Sequence, residues 1–219
     1  MIGIVVPAHN EEEMLGACIA SLQVAAAHPA LQSEPVRIAI VLDACRDGSA
    51  AIARQAGVHT IEVDYTNVGL ARHNGAGWLI AQGARWLAFT DADTIVEPDW
   101  LVRQLASRAD AVCGGVHLLD WATLSTELRR RYLSHRRSVT AGRHIHGANL
   151  GVSVAAYLAV GGFAPLVAHE DVRFIGTLKQ HGFTIDWLHG MRVKTSSRRK
   201  ARAPEGMGAL LNSLEQGIS

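Results

Sequence analysis

Cysteine, excess charge and long apolar runs are all scarce in this sequence, and each shortage excludes a class of protein. The three cysteines among 219 residues are widely separated and lack CxxC spacing, so neither a disulfide framework nor a zinc site is predicted. A formal net charge of +1 provides no general attraction to nucleic acid. No apolar run approaches the length of a membrane span, and the first segment, MIGIVVP, is too short for a signal peptide.

These features fit a reducing compartment, and we expect a cytoplasmic protein, with a peripheral position at the inner membrane face as the alternative. Hydrophobic residues make up 48% of the chain and charged residues 19%, which is the composition of a folded soluble protein. A length of 219 residues suits one sizeable core and not two independent enzymes. A single domain is therefore predicted.

Short apolar stretches alternate with helical ones through the first half of the chain. This alternation predicts an α/β fold with a mostly parallel central sheet flanked by helices, in a Rossmann-like arrangement. The predicted strands are Ile2–Val6, Val36–Leu42, Val58–Val63 and Trp86–Phe89. Asn10 stands three residues before Glu13 in the pattern of a capping box, which predicts a helix start soon after the first strand.

The pattern loosens in the second half of the chain. The predicted elements are a strand at Ala111–Val116, an amphipathic helix or lid at Trp121–Ser138, a strand at Gly147–Ser153, helices at Val154–Val160 and Asp171–His181, and a hairpin of Ile185–Leu188 with Met191–Thr195. His189-Gly190 is interpreted as the turn of that hairpin. The tail from Ser196 is basic and then glycine-rich, and no structure is predicted at its end.

Two aspartates one residue apart follow the fourth predicted strand. Asp91 and Asp93 end the apolar run Trp86–Phe89, and the carboxyl ends of strands in an open α/β sheet are the usual ligand position. Two carboxylates there can hold a hard divalent cation, with Asp93 at the loop tip as the better placed ligand. The alternative is that they cap the next helix. Asp99, just before Trp100, is better placed for that cap.

Six short fragments of the sequence occur in a recognisable order. They are Pro7-Ala8-His9-Asn10-Glu11, the turn after Asp43, Gly69-Leu70-Ala71-Arg72-His73-Asn74, Asp91-Ala92-Asp93, Gly161-Gly162-Phe163 and Glu170-Asp171. Together they resemble family 2 of the glycosyltransferases, which have the GT-A nucleotide-sugar fold. The resemblance, which extends to about Arg199, implies a nucleotide-sugar-binding half at residues 1–117, an acceptor-binding and catalytic half at 118–199, and a basic, glycine-rich tail at 200–219.

The resemblance implies that the ends of the first two strands hold the base and ribose of a sugar linked to UDP or GDP. The residues concerned are Pro7, Ala8, Asn10, Glu11 and Asp43. A carboxylate can accept a hydrogen bond from a uracil or guanine ring N–H. The alternatives are a helix-dipole role for Glu11 and a turn-forming role for Asp43.

The resemblance also implies where the diphosphate and its cation would bind. Arg72 would face the diphosphate or the sugar, or alternatively lie on a helix surface. Asp91 and Ala92 would contact the nucleotide sugar, Asp91 through the ribose or the water shell of the metal. Asp93 would bind Mg²⁺ or Mn²⁺, and that cation would neutralise charge on the departing nucleoside diphosphate.

Asp171 is the candidate catalytic base. It follows the flexible Gly161–Pro165 segment and opens a predicted helix, so its carboxylate can face the crevice. By the resemblance it would accept the proton of an acceptor hydroxyl that attacks the anomeric carbon opposite the leaving group, which inverts the configuration. The alternative is an acid in the first turn of a helix, for which Glu170 is equally suited.

The sequence departs from the family after its last predicted strands. Many relatives have a histidine there as a further metal ligand, but residues 193–199 read VKTSSRR. Arg198 and Arg199 would instead clamp the diphosphate as a lid closes, with a solvated basic tail as the alternative. His144 and His146 lack a third ligand within sequence reach, which argues against zinc.

The predicted function is therefore a metal-dependent, inverting glycosyltransferase, and two rivals are kept. One is a haloacid-dehalogenase-like phosphatase with Asp91 as covalent nucleophile, although that class requires its D-x-D-x-T motif on the first strand. The other is a nucleotide-sugar binder without turnover. The acceptor is left open, with Arg129–Arg131 in the region Trp121–His146 suited to a phosphorylated or lipid-linked acceptor. No stacking aromatics lie among these arginines, so nucleic acid is not a predicted partner.

Overall fold

A computed structural model describes residues 1–138, 145–166, 168–198 and 206–217. The strands of these residues are β1 Ile2–Ala8, β2 Val36–Asp43, β3 His59–Val63, β4 Trp86–Phe89, β5 Thr94–Ile95, β6 Ala111–Leu118, β7 Leu150–Ser153 and β8 Ile185–Thr195. The helices are α1 Leu15–Ala26, α2 Ser49–Gln55, α3 Val68–Ala81, α4 Trp100–Ala106, α5 Thr126–Ser138, α6 Val154–Ala159, α7 Glu170–Gln180 and α8 Met207–Gln216. Short 3-10 turns occur at Pro29–Leu31, Trp121–Thr123 and Gly147–Asn149.

The strands form one sheet in the order β3-β2-β1-β4-β7-β6-β8-β5. The first four in this order are parallel to one another, and β7 is inserted antiparallel between β4 and β6. β6 and β8 are again parallel, and β5 closes the edge as an antiparallel partner of β8. The predicted α/β fold with a mostly parallel sheet is confirmed.

Both faces of the sheet are covered by helices, as the near-continuous apolar strands require. In β1, Ile4 packs in a core cluster with residues of α1 and α4, whereas Val5 packs in a second cluster with residues of α3 and α7. This alternation follows the two-residue period of a strand. The polar residues at the carboxyl ends of β1, β2 and β4 lie on the same side of the sheet, because these strands are parallel.

The predicted hairpin at the end of the sheet is wrong, because Ile185–Thr195 is one strand. β8 runs parallel to β6, with Gly114 opposite Leu188 and Gly115 opposite Arg192. The residues between them form a bulge, which accommodates His189-Gly190 without reversing the chain. Pairing with β6 therefore overrides the local turn signal of that dipeptide.

The capping box predicted at Asn10 is also absent. Asn10 has a left-handed backbone with a φ of 54°, which asparagine tolerates well, and its side-chain oxygen accepts from the backbone N–H of Arg46 at 2.8 Å. α1 begins only at Leu15, without a side-chain cap. Asp99 occupies the N-cap position of α4, but its carboxylate accepts from Arg103 and not from a backbone N–H.

The end of the chain contains a helix that the sequence did not predict. In α8, Leu211 and Leu214 are buried in a small core with Leu128 and Tyr132 of α5. Arg131 donates to the carbonyls of Leu214 at 2.9 Å and Glu215 at 3.2 Å, which lie at the C-terminal end of α8, where carbonyl groups lack partners in the next turn of the helix. Among the residues that the structure describes, none of the helices combines the length and the apolar character needed to span a bilayer.

Candidate active site

A cavity of about 520 Å³ opens at the carboxyl ends of β1, β2 and β4. The start of α7 and the first turn of α8 also line it. The predicted site residues that line it are Pro7, Ala8, Glu11, Asp43, Arg72, Asp91, Ala92, Asp93, Asp171 and Arg198. Three aspartates separated by long stretches of sequence, Asp43, Asp93 and Asp171, thus meet around one space.

Two further residues were predicted for the site. Asn10 does not line the cavity and instead supports the β1 loop, because it binds the backbone N–H of Arg46 and the Nε2 atom of His9. His9 Nδ1 lies 2.7 Å from the carbonyl oxygen of Asp43. That oxygen can only accept, so Nδ1 carries the proton and Nε2 accepts from Asn10. Arg199 lies outside the described residues.

Asp43 organises the loop that precedes α3. Its carboxylate accepts from three successive backbone N–H groups, those of Tyr65 at 2.6 Å, Thr66 at 2.8 Å and Asn67 at 2.9 Å. Asn67 in turn caps α3 by accepting from the N–H of Leu70 at 3.0 Å. The prediction of a nucleotide contact stays open, since an ionised carboxylate has about four acceptor positions and Asp43 borders the cavity.

Asp93 lies in a network of opposite and like charges. Its Oδ2 atom is 3.2 Å from Nη2 of Arg198, and its Oδ1 atom accepts from the hydroxyl of Thr195 at 3.2 Å. Arg198 also forms a two-point ion pair with the carboxylate of Glu11, in which Nη1 donates at 2.5 Å. The guanidinium therefore connects the β1 loop to the loop after β4.

Burial, together with the negative charges of Asp91 and Glu11, raises the pKa of Asp93 from 3.8 to about 6. Arg198 and the hydroxyl of Thr195 oppose this change. The side chain of Asp93 is only 15% exposed, so its ionised form is poorly solvated. A carboxylate under such conditions favours a cation beside it.

Asp93→Asn is expected to stabilise the protein near neutral pH when divalent metal is removed with a chelator. The pKa of Asp93 is higher in the folded state than in the unfolded state. The wild-type protein therefore loses stability as the pH rises from about 4 through about 6. The change from 3.8 to about 6 corresponds to at most about 3 kcal/mol. The melting temperatures of the variant and the wild type should converge towards pH 4, and at pH 7.5 the variant should melt at the higher temperature. A lower melting temperature of the variant at pH 7.5 would contradict this account.

The residues around Asp93 fit a divalent cation such as Mg²⁺ or Mn²⁺. The cavity presents hard oxygen donors, the carboxylates of Asp93 and Asp91, which such ions prefer. Within the described ranges, no group of three or more His, Cys, Asp or Glu side chains could hold a metal ion. This does not conflict with the fit, because Mg²⁺ is usually bound by one or two carboxylates together with waters and substrate phosphates.

Arg72 lies on the cavity wall, and its guanidinium is paired with acids. Its Nη2 atom donates to Oδ1 of Asp91 at 2.5 Å, and its Nη1 atom donates to Oε1 of Glu170. The Arg72 side chain is nearly fully buried. Burial would lower its pKa, but Asp91 and Glu170 raise the pKa of Arg72 above its usual value, so the guanidinium stays charged.

Asp171, the candidate base, opens α7 and lines the cavity. Its Oδ2 atom accepts from the backbone N–H of Gly147 at 2.7 Å, and its Oδ1 atom accepts from the N–H of Val172 at 2.7 Å. These bonds orient the carboxylate, and each oxygen keeps a further lone pair. The group is half-buried, so a substrate hydroxyl can reach it.

Sequence reasoning did not assign a role to several residues of this site. Thr195 holds Asp93, Glu170 pairs with Arg72, and Gly147 orients Asp171. His146 and His169 also line the cavity, whereas His144 lies outside the described residues. Glu170 stands next to Asp171 in a fragment already singled out, but its partner Arg72 is 98 positions away, a separation that no local pattern shows.

The arginines of α5 are engaged within the protein. Arg129 donates to the carbonyls of Leu124 and Ala122, both at 2.9 Å, and Arg130 and Arg131 pair with Glu127. The expectation that Arg129–Arg131 bind a phosphorylated or lipid-linked acceptor therefore gains no support from the contacts of these side chains.

The single α/β domain, with a mostly parallel sheet flanked by helices, has the fold of the GT-A glycosyltransferases. The sequence profile of Glycosyl transferase family 2 matches residues 3–157. The chain belongs to that family. The match places it among glycosyltransferases and not among the haloacid-dehalogenase-like phosphatases. No curated protein matches the sequence.

Solved structures support the same fold. A structure of S. aureus TarS residues 1–349 in complex with UDP-GlcNAc is 13% identical with a TM-score of 0.69, and the match covers 94% of this chain and 61% of that one. The mannosyltransferase PcManGT from Pyrobaculum calidifontis, in complex with GDP-Man and Mn²⁺, is 15% identical with a TM-score of 0.66, covering 92% of this chain and 58% of that one. This chain thus spans about three fifths of the chain in either structure.

A third match has a length closer to that of this chain. Glucosyl-3-phosphoglycerate synthase from Mycobacterium tuberculosis, in complex with Mn²⁺, UDP and phosphoglyceric acid, is 15% identical with a TM-score of 0.64. The match covers 100% of this chain and 78% of that one. At such identities the likeness shows the GT-A fold alone.

Proposed function

We propose that this protein transfers a sugar from a UDP- or GDP-linked donor to a hydroxyl group of an acceptor, with inversion at the anomeric carbon. The observation that carries the proposal is that Asp43, Asp93 and Asp171 border one cavity of about 520 Å³, a size suited to a small-molecule substrate. Family membership supports the reaction class. The nucleotide sugars bound to TarS and PcManGT support the donor class.

The donor would bind in the half of the site built by residues 1–117. Pro7, Ala8 and Glu11 at the end of β1, with Asp43 at the end of β2, would border the base and ribose. The loop that Asp43 holds through three N–H groups forms the opposite wall through Thr66 and Asn67. These contacts would place the diphosphate towards Asp91, Ala92 and Asp93.

The diphosphate requires positive charge beside it as the bond to the sugar breaks. A divalent cation held by Asp93 would neutralise the charge that develops on the departing nucleoside diphosphate. Arg198, already 3.2 Å from Asp93, provides a second cation that can contact phosphate oxygens through its planar guanidinium. One N–H of Nη1 and one of Nη2 donate to Glu11, so the remaining N–H groups of the guanidinium would make that contact.

The acceptor would bind in the half built by residues 118–199, beside Asp171. The carboxylate of Asp171 would take the proton of the acceptor hydroxyl as that oxygen attacks the anomeric carbon. The new bond forms on the face opposite the diphosphate, whose oxygen leaves with the electron pair of the broken bond, so the configuration inverts. The N–H groups of Gly147 and Val172 would keep the carboxylate aimed during this step.

A thermal-shift screen of nucleoside diphosphates and their sugars with Mn²⁺ tests the proposal. A ligand present at 100 times its dissociation constant stabilises the folded state by about 2.7 kcal/mol, so the melting temperature should rise by several degrees with UDP or GDP donors. Slow hydrolysis of the stabilising nucleotide sugar would then exclude an inert binder. Stabilisation by no nucleotide, with or without Mn²⁺, would contradict the proposal.

A further inference from the structure

Arg72 lies at the junction between the donor half and the catalytic half of the site. It belongs to α3, and its guanidinium contacts Asp91 after β4 and Glu170 at the start of α7. The ring of Phe163, 5.9 Å from the guanidinium carbon, adds a cation–π contact. Only 3% of the residue is exposed, so Arg72 is a buried link between three separate segments.

Two glycines allow this link to form. A Cβ atom at Gly69 would lie 2.5 Å from the carbonyl oxygen of Ala164 and 3.3 Å from Cβ of Glu170, so only glycine lets the first turn of α3 approach α7 this closely. A Cβ atom at Gly147 would lie 2.5 Å from the guanidinium carbon of Arg72. The Gly147 backbone therefore packs directly against the guanidinium.

Gly147 connects Arg72 to the candidate base. Its N–H donates to Oδ2 of Asp171 at 2.7 Å, while its Cα packs on Arg72. Asp171 is thus held from two sides by groups that touch Arg72: Gly147 through this hydrogen bond and Glu170 as its neighbour in the first turn of α7. A shift of the guanidinium would move both supports.

The contacts of Arg72 leave it poorly placed to bind a diphosphate. Both terminal nitrogens already donate to carboxylates, and Nε is buried with no hydrogen-bond partner among the described residues. These two carboxylates already balance the positive charge of Arg72. A diphosphate at its remaining N–H groups would bring further negative charge against Asp91 and the buried Glu170, which is unfavourable.

We infer that Arg72 is a positioning residue that holds Asp91 and Asp171 in fixed relative places, and not a ligand of the donor. The inference rests on the proposed function, because it assigns Asp171 the role of base. It predicts that loss of the two-point contact slows the chemical step without weakening donor binding.

The test uses Arg72→Lys, which keeps the charge but cannot bridge two carboxylates through a planar fork. Nucleotide-sugar hydrolysis at saturating donor should fall about 10- to 100-fold, as expected for a displaced catalytic group. The dissociation constant of UDP or GDP with Mn²⁺ should change less than about 3-fold. Arg173→Lys, at an exposed arginine of α7, is the matched control and should leave both values unchanged.

A second variant and a second readout keep the inference testable if Arg72→Lys does not fold. Glu170→Gln preserves the shape and an oxygen acceptor but removes the charge, and it should likewise lower the rate without weakening nucleotide binding. Hydrogen exchange at the Gly147 amide should become at least about 10-fold faster in either variant, since that amide is protected by Asp171. This measurement requires no substrate.

The outcomes separate the two proposals. Nucleotide affinity that weakens at least about 10-fold in Arg72→Lys, with hydrolysis at saturation retained, would make Arg72 a diphosphate ligand and overturn the inference. If the wild-type protein binds no nucleotide, the proposed function fails. The exchange rate of Gly147 then still decides the positioning role, which an unchanged rate in both variants would refute.

Discussion

Replacing Asp171 with asparagine should lower the rate of sugar transfer by about 10²- to 10⁴-fold, the usual contribution of a general base. Asparagine has nearly the same shape, and its amide oxygen can still accept from the N–H of Gly147, as Oδ2 of Asp171 does at 2.7 Å. It cannot take a proton from the acceptor hydroxyl. The variant should therefore keep its fold and its affinity for UDP or GDP while losing turnover.

The measurement combines hydrolysis of the stabilising nucleotide sugar with calorimetric titration of the nucleoside diphosphate. Asp186→Asn is a suitable control, because Asp186 accepts from the hydroxyl of Ser107 and does not belong to the cavity lining. A turnover that survives in Asp171→Asn would remove this carboxylate from the mechanism. Loss of nucleotide affinity in the same variant would instead assign Asp171 to donor binding.

Asp93→Asn should reduce the Mn²⁺-dependent affinity for the nucleoside diphosphate by about 10²-fold. An amide oxygen is neutral and a far weaker ligand for a hard cation than a carboxylate, and the loss of one such charged contact is worth about 3 kcal/mol. Binding measured without divalent metal should change little. The contrast between the two conditions is the diagnostic result.

Asp99→Asn provides the control for this prediction. Asp99 is an acid at the N-cap position of α4, and its carboxylate pairs with Arg103. Unaltered Mn²⁺-dependent binding in Asp93→Asn would mean that the cation is held elsewhere. Because the same variant should melt at a higher temperature near neutral pH, as argued from the raised pKa of Asp93, weak nucleotide binding could not be attributed to an unfolded sample. The variant would thus bind the nucleotide more weakly while its folded state became more stable.

Sequence patterns predicted the first half of the fold well because its signals are local. The apolar run Trp86–Phe89 and the two aspartates after it are contiguous in the chain, and parallel strands bring their polar ends to one edge by geometry alone. Asp43 follows the second predicted strand in the same way, whereas Asp171 was expected at the cavity from its place at a predicted helix start and from the resemblance to family 2; both line the cavity. Strand ends therefore account for Asp43, Asp91 and Asp93 but not for Asp171.

The errors lie where distant parts of the chain decide the structure. His189-Gly190 resembles a turn, but pairing of β8 with β6 holds it inside a strand. α8 has only 10 residues, which is too short for a helix that is stable on its own, and burial of Leu211 and Leu214 against α5 stabilises it. The pairing of Arg72 with Glu170 and the support of Asp171 by Gly147 likewise depend on packing between elements far apart in sequence.

The triple hydrogen bond of Asp43 has a consequence for the speed of ligand capture. A loop whose successive amides are tied to one carboxylate has already lost its conformational entropy during folding, and ordering it would otherwise oppose association by about 1 to 2 kcal/mol per residue. This part of the cavity wall is therefore already ordered before a nucleotide binds. Its capture should be governed by diffusion and charge attraction and not by a slow rearrangement of that loop.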